Sequence, residues 1–473
     1  MSDFDAVIIG AGPNGLSAGI RLAQAGWKVL VMEASSTVGG GTRTKELTLP
    51  GFLHDVCSAV HPTGAASPFF HSLNLEDYGL EWIHPEIPLA HPLEGGRAAV
   101  LWQCLDKTAQ GLGRDEAAYR LLFEEIANRA SELYPDVFTP IKFPASPLLM
   151  ARFGTAAMMP ASLLARALFK SEEARALLAG NAAHSVLPLE SWFSAAIAIM
   201  LQMSAHAVGW PVARGGSQSI AHALESKLRA LGGEVTTNSR AMCFEKLPPA
   251  RCYLFDTSPA TVLKVADHQL PSGYKRRLRA FQHGPGVFKI DYALSGPVPW
   301  TNKECQKAGT VHVGGTLDEI CASEADACNG LHSDRPFVLA AQPSVCDPTR
   351  APAGKAVLWA YCHVPQGSTR DMEPFITAQI ERFAPGFRDL ILAKSTMNCS
   401  QMEAYNENYV GGDIVGGMAS WSQILTRPVT SLCPYATPNP KIYLCSASTP
   451  PAGGVHGMCG WNAANAVLAR MDK

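Results

Sequence analysis

Residues 7–15 read V-I-I-G-A-G-P-N-G, between an apolar run and a stretch with helical spacing. Ala6 to Ile9 is short and apolar enough for a buried parallel strand, and Leu16, Ile20 and Ala23 recur with helical spacing between Gly15 and Gln24. The glycines then have separate tasks. Gly10 permits a tight turn, Gly12 lets a pyrophosphate approach the backbone, and Gly15 lets the helix pack against the strand. The helix N-terminus, with Pro13 and Asn14 in its first turn, faces the phosphates. Gly26 is a helix stop, Val29 to Met32 a second buried strand, and Glu33 an acid at its end, followed by Ala34. Glu33 is placed to accept ribose hydroxyls. A lone G-x-G-x-x-G is a weak signal, but strand, turn, helix, strand and acid in this order predict a dinucleotide-binding α/β unit.

Two further segments separate FAD from NAD. Gly39-Gly40-Gly41-Thr42-Arg43-Thr44 resembles the G-G-R-[ST] element that follows the ribose acid in flavoproteins with two dinucleotide-binding domains. Residues 449–460, T-P-P-A-G-G-V-H-G-M-C-G, place a second glycine cluster at the other end of the chain. If both clusters serve one cofactor, the two ends of the chain fold onto it.

Composition bounds the remaining classes. The 473 residues exceed one typical domain, and only 17% are charged while 47% are hydrophobic. With a net charge of -2 and no basic run, nucleic acid is not an expected partner. Thirteen cysteines occur singly without C-x-x-C, which argues against a disulfide framework or a redox dithiol, and no histidine pair has metal-ligand spacing. No metal site is expected. The chain begins directly on its first strand, so a cytoplasmic protein is expected.

Residues 191–213 lack Asp, Glu, Lys and Arg, yet Gln202, His206, Gly209 and Pro211 interrupt them, which favours a buried or substrate-lining helix over a membrane span. Residues 144–169 are apolar and broken by Pro144, Pro147 and Pro160. Either they cap an apolar pocket or they lie on a membrane surface as a peripheral contact. Downstream, Ile220, Leu224, Leu228 and Leu231 mark a helix followed by a strand at 234–237. Residues 251–259 read as a buried strand, and 286–294 alternate with Phe288, Ile290 and Tyr292 on one side and Lys289 and Asp291 on the other.

Taken in order, these elements, with P-V-A-R-G-G-S at 211–217, G-P-G-V-F-K-I-D-Y-A-L at 284–294 and the C-terminal motif, resemble the phytoene desaturase-like FAD oxidoreductases. The resemblance covers nearly the whole chain and implies the two-domain FAD/NAD(P)-binding fold of the amine oxidase and phytoene desaturase type. The class is α/β, Rossmann-like, with a mixed-sheet and helical substrate domain. Residues 1–75, 212–285 and 400–473 would form a discontinuous FAD domain, and 76–211 with 286–399 the substrate domain and its helical cap. FAD would be held without a covalent bond by Gly10, Gly12, Pro13, Asn14, Gly15, Glu33, Ala34, Gly40, Gly41, Thr42, Arg43, Gly453, Gly454, Val455 and His456.

The implied reaction is hydride transfer to flavin N5 from a C–C bond of an apolar unsaturated, polyene or lipid-like, small molecule. Alternatives are flavin-dependent double-bond isomerisation and non-enzymatic lipid or prenyl binding on the same fold. The segment around Lys289 resembles the amine oxidase strand whose lysine holds a water against N5. The alternative is an ion pair with Asp291 and no chemical role. The attachment cysteine and cage tyrosines of amine oxidases fall near Asp413, Ile414 and Gly454, so neither a covalent flavin nor an aromatic amine cage is expected. His184, His206, His312 and His363 are acid–base or contact candidates, His456 is the foremost of them, and Trp359 with Tyr361 are candidate pocket residues. The substrate's identity, the electron acceptor and the oligomeric state are not encoded in any motif.

Overall fold

The strands in chain order are β1 (Phe4–Ile9), β2 (Val29–Met32), β3 (Ile87–Pro92), β4 (Ala98–Leu101), β5 (Glu234–Thr236) and β6 (Ala250–Phe255). They continue as β7 (Gly286–Leu294), β8 (Ala308–Val313), β9 (Val338–Ala341), β10 (Ala356–Val364), β11 (Ile391–Met397) and β12 (Ile442–Leu444). Two two-residue pairings aside, these form two sheets in a computed structural model that describes residues 3–471.

The first sheet has the order β12-β6-β1-β2-β5 and is parallel throughout. Its strands come from the N-terminus, the middle and the C-terminal part of the chain. Every residue of β2 and β12 is buried, as a parallel sheet covered on both faces requires. Helices α1 (Pro13–Gln24), α6 (Gln218–Ala230) and α9 (Met458–Met471) cover one face: α1 packs against both of the others. The contact of α1 with α9 is close because a Cβ on Gly460 would lie 1.8 Å from the Asn14 carbonyl. Asn14 and Gly460, 446 positions apart in sequence, thus share one core.

The second sheet, β11-β7-β10-β9-β8-β3-β4, is antiparallel except for the β3·β8 pair. The 286–294 strand forms where the alternation placed it, but all nine residues are buried. Phe288, Ile290 and Tyr292 enter a core that includes Ile376 and Phe383 of α8 (Glu373–Phe383), while Val287 and Lys289 face the first sheet's side. The alternation therefore separates two covered faces.

Helices α2 (Pro147–Ala157), α3 (Ala161–Leu168), α4 (Glu172–Ala182) and α5 (Ser194–Ala207) pack together, and α7 (Leu317–Cys328) packs against α4 and β10. Segment 191–213 contains the buried helix α5, then the chain reaches a short strand at Val212–Ala213. No single helix among the described residues is long and apolar enough to cross a membrane, and α2 with α3 pass that test only as a pair bent by 100°.

Candidate functional site

One cavity, of about 490 Å³, runs from the turn after β1 to the face of the second sheet. The turn is sterically determined. Gly10 has φ +103°, and a Cβ there would lie 2.7 Å from the Asp256 carbonyl, while a Cβ on Gly15 would lie 2.0 Å from the Gly10 carbonyl. Neither contact can relax, because the opposing atoms are backbone.

Gly12 departs from its expected task. The volume its missing side chain leaves is occupied by Asp256 Oδ2, 2.7 Å from where a Cβ would stand, and the same carboxylate accepts the Gly15 N–H at 2.8 Å. Asp256 ends up there because β6 lies beside β1 and the carboxylate follows its last residue. Burial, reinforced by the negative charge of Glu33, pushes its carboxyl up to about 7 against the pull of the Gly15 and Gly12 amides. The site thus has a carboxylate at the helix N-terminus that titrates near neutrality.

Glu33 is fixed by the Ala11 N–H at 2.9 Å, the Ser35 N–H at 2.8 Å and Arg43 Nη2 at 3.2 Å. A carboxylate offers about four acceptor positions, which leaves one for a ligand hydroxyl. Arg43 is itself held by the Thr37 and Gly40 carbonyls. Thr42 instead donates its hydroxyl to the Gly39 carbonyl and stabilises that loop.

At the other end, Ala452 (φ +97°) and Gly454 (φ +131°) shape the turn before α9, and a Cβ on Gly453 would lie 2.5 Å from the Val415 carbonyl. The opposing loop is organised by Asp413, which is fully buried and accepts from the Val415 (2.9 Å), Gly416 (3.2 Å), Gly417 (2.8 Å) and Gly284 (3.2 Å) amides and from His283 Nδ1 (3.0 Å). The attachment cysteine of amine oxidases falls near this position, where no thiol was expected in this chain. The residue there is a loop-building carboxylate, and Ile414 lines the cavity.

Of the expected cofactor residues, Gly10, Gly12, Pro13, Asn14, Glu33, Ala34, Gly40, Gly41, Arg43, Gly453, Gly454 and Val455 lie on this one wall. Gly15, Thr42 and His456 stand behind it. His456 is 1% exposed, its Nδ1 accepts the Met458 N–H at 3.0 Å, and burial lowers its pKa to about 4. It caps the last helix as a neutral imidazole.

Lys289 and Asp291 meet as a buried ion pair, each 2% exposed. Asp291 Oδ1 also lies 3.7 Å from His54 Nδ1, and the ammonium is 5.9 Å from the centre of the Trp359 ring. Burial raises the Asp291 carboxyl to about 6 although the Lys289 charge opposes it, and lowers His54 to about 3. Trp359 lines the cavity, whereas the pair does not reach its wall.

Beyond the glycine loops, the lining changes to Ile197, Met200 and Leu201 of α5, Trp210, Thr310, Leu339, Trp359 and Tyr361, with His184 at one edge. His184 Nε2 is 2.9 Å from His312 Nε2, and His363 Nδ1 is 2.7 Å from Glu324 of α7. Burial lowers His184 to about 3 and His312 well below the usual range. His206 lies apart, bonded to Tyr119 at 2.7 Å.

The cavity's donors and acceptors fit FAD. Asn14 Oδ1 and Thr257 Oγ1 are buried on its wall without a protein partner, Glu33 keeps an open acceptor position, and two glycine turns bring bare backbone to opposite ends. Asp256 and Thr257 had not been singled out from sequence, and Asp413 only as the residue near the amine oxidase attachment position. The available signal was the position of Asp256 immediately after a buried strand, the location of β-end ligands in open α/β sheets.

Comparison with known proteins agrees with this geometry. Residues 8–74 match the family model of the NAD(P)-binding Rossmann-like domain. Pyridine nucleotide-disulfide oxidoreductase domain-containing protein 2 of Rattus norvegicus is 25% identical over 98% of this chain and 93% of its own length. A 4,4'-diapophytoene desaturase of Methylomonas is 29% identical over 49% of this chain and 47% of its own. A redesigned putrescine oxidase shares the fold with a TM-score of 0.63, covering 99% of both chains at 17% identity. The chain is thus similar over nearly its whole length to pyridine nucleotide-disulfide oxidoreductase domain-containing protein 2, similar over about half of it to a 4,4'-diapophytoene desaturase, and shares the fold of putrescine oxidase.

Proposed function

We propose that this protein binds FAD non-covalently and oxidises or reduces a C–C bond of an apolar, unsaturated small molecule by hydride transfer at flavin N5. The observation that carries the reading is the continuity of the cavity: Glu33, Gly12 and Gly453 line the same cavity as Met200, Leu201 and Trp359. FAD bound there supplies the hydride acceptor or donor. The protein binds, orients and excludes water. Glu33 and Arg43 fix the adenosine end, the Gly453–Gly454 turn admits close approach at the other, and the α5 side chains present a hydrocarbon surface to the substrate.

Non-covalent binding is supported by the thiols near the site. Cys57 is on the wall, but burial raises its pKa, and a protonated thiol is a poor nucleophile for attachment. An apolar substrate is supported by the absence of formal charge among the residues from α5 and the second sheet that line the cavity. Each methylene buried there contributes about 0.8 kcal/mol, so no ionic anchor is needed.

Peripheral contact with a membrane is part of the same proposal. In the 144–169 segment suited to it Leu148 is largely exposed and Leu163 more than half exposed, and outside that segment Ile141, Phe143 and Trp192 are exposed as well. Acid precipitation of purified protein should release a yellow supernatant. Anaerobic incubation with a long-chain polyene should then bleach the flavin, and flotation with liposomes should carry the protein. Flavin remaining with the precipitate, or bleaching by small amines in place of polyenes, would overturn the reading.

A further inference from the structure

The far end of the cavity is hydrocarbon-like but carries polar atoms with nothing to bind. Thr310 Oγ1, Trp359 Nε1 and Ser185 Oγ are all buried on its wall and have no hydrogen-bond partner in the protein. Their residues are 1%, 6% and 3% exposed. Buried donors left unmade are costly and rare, so three on one wall need an explanation.

The strand register places two of them together. Thr310 of β8 is opposite Ala341 of β9, and Ala341 is opposite Trp359 of β10, so the three residues form one row across adjacent strands. Adjacent strands are about 4.8 Å apart, which puts the outer two backbones roughly 10 Å from each other. The residue between them is an alanine, so the row has a gap at its centre. Ser185 and His184 come from the turn after α4, and His184 is tied to His312, the next residue of β8 on the same sheet face as Thr310.

We infer that this row is a subsite for an uncharged oxygen function, a ketone, aldehyde or quinone carbonyl, at one end of the substrate. The indole N–H can only donate, and the Thr310 and Ser185 hydroxyls are free to donate, so the complementary ligand atom is an acceptor. A carboxylate does not fit. Lys289, 5.9 Å from the centre of the Trp359 ring, is committed to Asp291, and the imidazoles here are held neutral by burial. Leu339 and Trp210 then enclose the chain that carries the carbonyl. The inference rests on the proposed use of this cavity for an apolar substrate, and adds that the substrate is oxygenated at the end bound by the second sheet.

The test is direct binding to the purified holoprotein. Hexadecan-2-one, hexadecane and hexadecanoate are each offered at equal concentration, and the ligand retained after gel filtration is measured by mass spectrometry. The ketone should be retained more strongly than the other two. In Thr310→Val and Trp359→Phe its affinity should fall by about tenfold, the loss of one buried hydrogen bond, while hexadecane is unaffected. Thr310→Val should also raise the melting temperature of ligand-free protein, because it removes an unpartnered hydroxyl. A wild type that retains ketone and alkane equally, prefers the carboxylate, or loses both neutral ligands equally in the variants overturns the inference. Ketone preference in a protein found to carry no flavin would overturn the proposed function and leave the subsite standing. Polyene-driven bleaching without ketone preference would do the reverse.

Discussion

The two ends of the cavity are polar in different ways. Around β1 the buried charges are bonded, Glu33 with Arg43, Ala11 and Ser35 and Asp256 with Gly15, while Asn14 Oδ1 and Thr257 Oγ1 have no protein partner. On the second sheet the polar groups are neutral side chains on an apolar surface, several of them without partners. An end whose charges are fixed by backbone amides suits a dinucleotide whose phosphates and hydroxyls are fixed in turn. A neutral, sparsely bonded end suits a ligand that is mostly hydrocarbon. Lys289, Asp291 and His54 fit neither pattern, since they are charged or titratable but stand just behind the wall.

That exception gives the largest expected effect. Lys289→Met would leave Asp291 buried without its ion-pair partner, since the nearby Arg350 is already paired with Asp55, and stability should fall by about 3–5 kcal/mol in urea unfolding. Adding Asp291→Leu should restore most of it. If the pair is a structural support, flavin reoxidation in the double variant stays near wild type. A slowing of about tenfold, roughly 1.4 kcal/mol of barrier, would place Lys289 on the reaction path.

Gly15→Ala tests the sterically fixed end. Its Cβ would meet the Gly10 carbonyl, so we expect a loss of about 3 kcal/mol and little bound flavin, read by absorbance after desalting. Retention of wild-type flavin content would show that the turn can shift.

Met200→Asp tests the neutral end. Its side chain lines the cavity, so an added carboxylate should weaken retention of an apolar ligand by about 2 kcal/mol while FAD stays bound. Leu164→Asp is not an equivalent probe, because Leu164 is 4% exposed in the core and its substitution would disrupt α3. Unchanged lipid retention in Met200→Asp would mean that substrate does not touch α5.

The smallest effect per residue comes from the histidines. His54 and His184 are lowered to about 3, and His61, His91, His206 and His456 to about 4, in each case chiefly by burial. The unfolded chain takes up protons on these residues below about pH 6.5 and the folded chain does not, so stability is full above that pH and is lost as pH falls toward 4. His184→Gln should flatten the urea midpoint's pH dependence in that window by at most about 1.4 kcal/mol per pH unit. An unchanged slope would mean that His184 is protonated in the folded protein and that the far wall is not neutral.

The dinucleotide end was legible because its physics is local. The positive φ of Gly10, the N-terminus of α1 and the acid after β2 all lie within 33 residues, so spacing alone implied the turn and Glu33. The C-terminal glycines were legible for the same reason. Thr42 and His456 were placed one shell too close, because a motif gives a residue's position but not the direction of its side chain. Thr42 turns to Gly39, and His456 to the amide of Met458.

The sequence by itself determined the parallel unit, the alternation of 286–294 and the buried character of α5, since each follows from short-range periodicity or a steric requirement of glycine. Only the tertiary structure decided that Asp256 fills the space beside Gly12, that Lys289 is held by Asp291 off the cavity wall, and that Thr310 and Trp359 share a row across Ala341. Those facts depend on strand order and register between segments far apart in the chain. Pairing across a sheet is set by which whole faces can be buried together, and no local pattern carries that information.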